Sequence, residues 1–201
     1  MNPQSEIRNP TPPQMPLLAA LEVLAKLRTD QIVVTTMGSA REWPKLSQHP
    51  LDFHYLPSAM GHAPMVGLGL ALAQPNREVI AFNGDGGMLM SLGCLVTIVA
   101  SGVRNLTLVL LDNGLYEVTG GQSTAAAVAA TDFAGFARAA GFETVAQFDD
   151  LTDWEQGAPS ILASPGPRFI SLRVAPVGAA YHLPMPEPMS DRITRFRAAL
   201  G

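Results

Sequence analysis

Val79-Ile80-Ala81-Phe82-Asn83-Gly84-Asp85-Gly86-Gly87 runs from an apolar stretch straight into a polar, glycine-rich turn. A second stretch repeats the pattern: Leu106-Thr107-Leu108-Val109-Leu110-Leu111 leads into Asp112-Asn113-Gly114-Leu115-Tyr116. Short apolar runs bounded by turn residues read as buried strands. Each run ends in a hard oxygen ligand, Asp85 in the first and Asn113 in the second. Mg²⁺ prefers such ligands and commonly takes one or two from the protein, leaving phosphate oxygens and water to complete its shell. Gly86 and Gly87 let the backbone approach a phosphate closely, and a following helix would turn its first N–H groups toward it. The 27 residues between Asp85 and Asn113 leave room for one helix and one strand. A βαβ crossover of that size sets the two strand ends side by side.

Outward from this centre, helical and strand-like patterns alternate. Upstream, Leu17 to Leu27 carries apolar residues at helical spacing, and Ile32 to Thr36 reads as a strand. The strand ends in Met37-Gly38-Ser39-Ala40-Arg41-Glu42, a turn into a helix for which Ser39 has the chemistry of an N-cap. Residues 48–56 form a connection with a short strand at Phe53 to Leu56. The pattern then predicts a small-residue helix from Ser58 to Ala73, whose glycines imply close approach of another backbone or a ligand. Downstream, a helix is expected over Met88 to Ser101 and another from Asp132 to Ala140, closed by Gly141. A weak strand at Glu143 to Ala146, a helix at Leu151 to Ala163, a strand at Phe169 to Val174 and a helix at Ile193 to Leu200 complete the chain. The expected fold is a three-layer α/β/α domain with a mostly parallel sheet, spanning residues 17–201. The proline-rich residues 1–16 read as a flexible arm, and residues 175–190 as an extended, proline-rich segment.

Composition narrows the function. The 201 residues, 47% hydrophobic and 15% charged, suffice for one well-buried domain. A net charge of −4 gives no reason to expect nucleic acid or an anionic membrane as partner. The single cysteine, Cys94, excludes a disulfide framework or a cysteine-held cluster within these residues, and reads as an inert core thiol. With no leader-like segment and no membrane-length apolar run, the expectation is a soluble cytoplasmic protein.

The Gly84-Asp85-Gly86 turn, followed at this interval by Asn113, resembles the thiamine-diphosphate motif. Most of the chain, from Leu17 to Leu200, resembles the diphosphate-binding subunits or C-terminal halves of sulfopyruvate and phosphonopyruvate decarboxylases. The resemblance rests on Gly38 to Glu42, Ser58-Ala59-Met60-Gly61-His62-Ala63, Gly84-Asp85-Gly86, Asp112-Asn113-Gly114 and Thr119-Gly120-Gly121-Gln122. It implies thiamine diphosphate and Mg²⁺ as cofactors. Asp85, Asn113 and the Leu115 carbonyl would be the metal ligands. Gly38, Ser39, Gly84, Gly86, Gly87 and Tyr116 would surround the diphosphate. Ser58, Ala59 and Met60 would lie under the cofactor, with Met60, 25 positions before Asp85, as the apolar wedge between its rings. His62 is a catalytic candidate as a proton carrier and His54 a weaker one, although a histidine held by local hydrogen bonds is the commoner case. Met60 as ordinary core filler is the plain alternative. Arg41 suits an anionic substrate group or a salt bridge with Glu42, and Glu117, an acid at the mouth of the site, suits a proton donor or, as the commoner case, solvated surface.

The same resemblance implies a small anionic 2-oxoacid substrate and decarboxylation. It also implies an oligomer, because a glutamate that activates the aminopyrimidine ring belongs to a separate pyrimidine-binding domain, here an α-type partner subunit. The helix faces near Met60 and Cys94 are candidates for that contact. Other thiamine reactions, carboligation or oxidative decarboxylation, and a non-catalytic module keeping the fold remain as alternatives.

Overall fold

The computed structural model describes residues 14–178 and 187–201. In chain order its elements are α1 (Leu17–Leu27), β1 (Ile32–Thr35), α2 (Met37–Glu42), β2 (Asp52–His54), α3 (Ala63–Ala73), β3 (Val79–Gly84), α4 (Asp85–Met90) and α5 (Cys94–Ala100). There follow β4 (Leu106–Asp112), β5 (Leu115–Tyr116), β6 (Gln122–Ser123), α6 (Ala125–Ala129), α7 (Phe133–Ala140), β7 (Thr144–Phe148), α8 (Leu151–Leu162), β8 (Arg168–Arg173) and α9 (Met189–Leu200). Six strands form one parallel sheet in the order β2-β1-β3-β4-β8-β7, while β5 and β6 make a small antiparallel pair.

The strands are apolar on both faces because helices cover both. Ile32, Val34, Val79, Ala81, Leu106, Leu108 and Phe169 join one buried cluster with α3, α5 and α7. The alternate residues Val33, Ile80, Phe82, Val109, Ile170 and Leu172 join the other, with α1 and α8. This period of two is the pleat itself. The expected three-layer architecture is therefore the observed one. Within α3, Gly67 is closed in by strand side chains rather than by a backbone or a ligand: an added Cβ would come within 2.7 Å of the Ala81 Cβ. Gly69 has no such neighbour.

Several boundaries differ from expectation. The helix drawn from Ser58 begins at Ala63, because Gly61 takes φ 82° and breaks the run into a loop followed by a helix. The helix drawn over Met88 to Ser101 is two helices, α4 and α5, separated at Ser91 to Gly93. Ser39 is not the N-cap of α2. Thr36 holds that position, and the Ser39 hydroxyl accepts the Thr36 N–H (3.0 Å) and donates to the Thr36 carbonyl (2.7 Å). The weak strand becomes β7, paired with β8 at the sheet edge, and α9 starts four residues earlier than drawn, at Met189. Met15, assigned by pattern to the arm, is 3% exposed and bridges to Val174. Residues 1–13 of the arm and 179–186 of the proline-rich segment lie outside the described residues. Among the described residues no helix is long and apolar enough to cross a membrane.

The topology places a site. From β1 the chain moves outward to β2, then returns past β1 to β3 on its other side. The connections on either side of β1 thus part company at the carboxyl ends of β1 and β3. Open parallel sheets bind ligands at such a switch point.

Candidate active site

A cleft of about 710 Å³, open mouth included, lies at this switch point. Its walls come from the turn after β1 (Thr36 to Ser39), the loop before α3 (Met60, Gly61), the end of β3 with α4, and the segment after β4. The parallel register pairs Gly84 with Leu111. Asp85 therefore follows the last pair by one residue and Asn113 by two, on adjacent strands. The crossover predicted from the spacing is present, with two short helices in place of one.

Asp85 is 1% exposed. Burial pushes its carboxyl up to about 6, with the Asp112 charge adding to the shift, although a hydrogen bond from Thr124 Oγ1 (2.7 Å) opposes it. Burial likewise raises Asp112, against the pull of Arg173. A desolvated Asp85 carboxyl next to a second negative charge is uncomfortable, and a bound divalent ion would restore its charged form. Asn113 Oδ1 accepts the Leu115 N–H (2.9 Å), and its Nδ2 donates to Glu117 Oε2 (2.6 Å). The amide oxygen retains a lone pair for a cation.

Glycines shape the floor. A Cβ on Gly86 would sit 2.5 Å from the Tyr116 ring, and one on Gly61 would sit 2.5 Å from the Gly87 carbonyl. A Cβ on Gly87 would meet Asn83 Oδ1 at 2.7 Å. The Gly61–Gly87 contact sets the Met60 loop directly against α4, and Ser91 Oγ ties it there by donating to the Gly61 carbonyl (2.5 Å). Met60 is 44% exposed and lines the cleft. A core-filling role is thereby removed. Met37, also in the wall, holds a left-handed φ of 47° at the first residue of α2, a strained conformation of the kind found at ligand sites.

Of the residues singled out by sequence, Gly38, Ser39, Met60, Gly84, Asp85, Gly86, Gly87, Asn113, Leu115 and Tyr116 all line this one cleft. Ser58, Ala59 and His62 do not. Ser58 Oγ accepts a hydrogen bond from Thr36 Oγ1 (3.1 Å). His62 is exposed, with Nδ1 3.1 Å from the Met60 carbonyl. His54 lies away from the cleft on β2, its Nδ1 2.8 Å from Thr35 Oγ1, and burial lowers its pKa. Arg41 is bonded to Glu42 (2.7 Å). Glu117 is no solvated surface group: it is half-buried, and its second oxygen accepts the Val177 N–H (2.5 Å). Cys94 is buried as expected.

Sequence reasoning missed two participants. Thr124, 0% exposed, caps α6 and holds Asp85 from 39 residues away. Its place before the Ala125 to Ala127 run marks a helix start but says nothing of Asp85. Asn83, 2% exposed in the wall, has an amide Nδ2 with no hydrogen-bond partner. It sat inside the quoted motif without being given a task.

The donor set suits a diphosphate held through a hard cation: a buried carboxylate and an amide oxygen on adjacent strands, over a floor where side chains are excluded. Comparison with known proteins agrees. Residues 34–172 match the family described as thiamine pyrophosphate enzyme, C-terminal TPP binding domain. A phosphonopyruvate decarboxylase of Streptomyces viridochromogenes is 40% identical over 90% of this chain and 45% of its own length. The sulfopyruvate decarboxylase subunit beta of Methanothermobacter thermautotrophicus is 40% identical over 81% of this chain and 83% of its own. The chain thus spans about half the length of the phosphonopyruvate decarboxylases it matches. A Mycobacterium smegmatis structure titled as a putative thiamin diphosphate-dependent enzyme shares the fold, with a TM-score of 0.67 and 22% identity over 88% of this chain and 35% of that one. Sequence match, topology and cleft agree that this chain belongs to the thiamine pyrophosphate enzymes, as their C-terminal TPP-binding domain.

Proposed function

We propose that the chain is the β-type, diphosphate-binding subunit of a thiamine-diphosphate- and Mg²⁺-dependent decarboxylase that acts on a small anionic 2-oxoacid of the sulfopyruvate or phosphonopyruvate type. The observation that carries the reading is the placement of Asp85 and Asn113 at neighbouring strand ends, beside a turn in which Gly86 and Gly87 pack too closely on Tyr116 and Asn83 to carry side chains. The relatives named for these two decarboxylations support the substrate class.

Asp85, Asn113 and the Leu115 carbonyl are the proposed Mg²⁺ ligands. Thr124 orients the Asp85 carboxylate, and Glu117 fixes the Asn113 amide by taking its N–H. When bound, thiamine diphosphate supplies the electron sink that lets a 2-oxoacid lose CO₂. Met60 is the apolar support that sets how the cofactor lies. His62, exposed and outside the cleft, is given no role.

The cleft's composition also says what a partner must bring. Among the described residues its lining holds no Lys, Arg or His, while Asp85 and Glu117 are acidic. Neither the activating glutamate nor a cation for the substrate's second anionic group is in this wall. We assign both to a pyrimidine-binding partner seated over Met60 and Met90, which are 44% and 51% exposed beside the cleft.

Calorimetric titration of thiamine diphosphate with Mg²⁺, into the chain alone and into its complex with a pyrimidine-domain subunit, tests the site. Mg²⁺-dependent binding is expected in the complex, and none in either state sinks the reading. CO₂ release from sulfopyruvate and phosphonopyruvate then tests the reaction; product formed by carboligation instead would move the chain to another thiamine activity.

A further inference from the structure

We infer that Asn83 is a ligand-binding residue of the cleft, whose side-chain Nδ2 donates a hydrogen bond to an oxygen of the bound diphosphate. The inference rests on the thiamine-diphosphate reading of the site and assigns it a further residue.

Buried polar groups are almost always hydrogen-bonded, because a donor taken from water and left unpaired costs about 1–3 kcal/mol. Among the described residues one buried side-chain nitrogen or oxygen lacks a partner, and it is Asn83 Nδ2. Its position explains why. Asn83 is the next-to-last residue of β3, two before Asp85, and is 2% exposed. Its neighbours two and four residues back, Ala81 and Val79, point into the apolar cluster under α3. The pleat sends Asn83 to that same side, where the sheet ends and the cleft begins. An apolar residue would continue the core; a carboxamide there has no use in packing.

The surroundings make room for the amide and leave its Nδ2 without a partner. Gly87 lies so close that a Cβ there would be 2.7 Å from Asn83 Oδ1. Gly61 lies against Gly87 in turn. These residues line the cleft together with Asn83. A donor held at the end of a central strand, on a residue that lines the cleft, loses its penalty when an acceptor reaches it. An amide rather than a cation also leaves the neighbouring Asp85 free to serve the metal.

The test compares wild type with Asn83→Ala and Asn83→Asp, as full chains, by thermal unfolding and by calorimetric titration of thiamine diphosphate with Mg²⁺. A hydrogen bond to a charged acceptor implies roughly 10- to 100-fold weaker binding in N83A. N83D, which puts an oxygen where the donor was, should bind more weakly still. Without ligand, N83A should unfold within about 2 °C of wild type, because it removes a group that bonds to nothing. Wild-type affinity in either variant overturns the assignment while leaving the cofactor site intact. A large fall in the ligand-free midpoint of N83A, with no change in affinity, makes Asn83 structural and also overturns it. Absence of binding by wild type itself overturns this inference together with the reading beneath it.

Discussion

Among the described residues, two clefts are built on opposite terms. The cleft at the ends of β3 and β4 leaves two buried groups wanting: Asn83 Nδ2 is unpaired, and burial pushes the Asp85 carboxyl upward. The other, about 830 Å³ with its mouth, lies between β2 and α9 beside His49, His54 and Arg192. There the polar groups satisfy one another. Arg28 pairs with Asp52 at 2.6 Å, both nearly sealed from solvent. Asp52 also accepts from Trp43 Nε1, Ser47 Oγ and the His49 N–H. Arg192 donates to the His54 and Leu56 carbonyls. The second cavity is the larger and richer in titratable side chains, yet its chemistry is already spent on holding β2 and α9. Unmet need marks the functional cleft better than size or charge does.

Four experiments would break or sharpen that contrast. The largest effect is expected at Asp52. Asp52→Ala strands the buried Arg28 guanidinium and should lower stability by roughly 3–5 kcal/mol, a fall of about 10 °C in Tm. Thiamine diphosphate affinity per folded molecule should not change; if it does, the two clefts are coupled. Asp85→Asn should behave oppositely, weakening Mg²⁺-dependent binding about 100-fold, or about 2.7 kcal/mol. Its folded carboxyl titrates near 6, above its ordinary value of 3.8. The stability linked to its protonated form is full below about pH 4 and lost as pH rises through 6. The ligand-free D85N chain should therefore be the more stable at pH 7–8, measured by urea unfolding. A less stable variant would mean that the carboxylate is structural.

Met60→Ala should lower turnover of the reconstituted complex about tenfold, with cofactor affinity little changed, since misplacing bound reactants affects rate more than binding. Lost affinity with normal turnover would remove the supporting role. The smallest effect belongs to His54. Burial lowers its pKa, with Arg192 and Arg28 adding to the shift and Asp52 opposing it. The unfolded chain then takes up the proton first. Stability is full above about 6.5 and declines as pH falls below it. Urea titrations from pH 7 to 5 should show that decline flattened in His54→Asn, and an unchanged slope would contradict the burial argument.

The fold and the two strand ends that bound the cleft were legible because both follow from local pattern. Apolar runs ending in Asp85 and Asn113 name two strand ends, and the interval between them names the crossover. What escaped depended on contacts across long sequence distance or on a single dihedral. Nothing near Thr124 announces Asp85. The helix drawn from Ser58 failed because Gly61 spends its freedom on a left-handed turn. His54 attracted attention for its titration range, but its carbonyl serves Arg192 and its ring serves Thr35. Glu117 looked solvated because its partners, Asn113 and Val177, meet only when β4 and β8 lie side by side.

The contact between Gly61 and Gly87 has a consequence for anyone redesigning this chain. A methyl group on Gly61 would strike the Gly87 carbonyl, and one on Gly87 would strike the Asn83 amide, so both positions resist substitution. A library that varies the cleft floor will lose most of its members at these two codons, whatever the other substitutions achieve. Variation is better directed to Val118 and Thr119, which form the exposed rim and carry no such constraint.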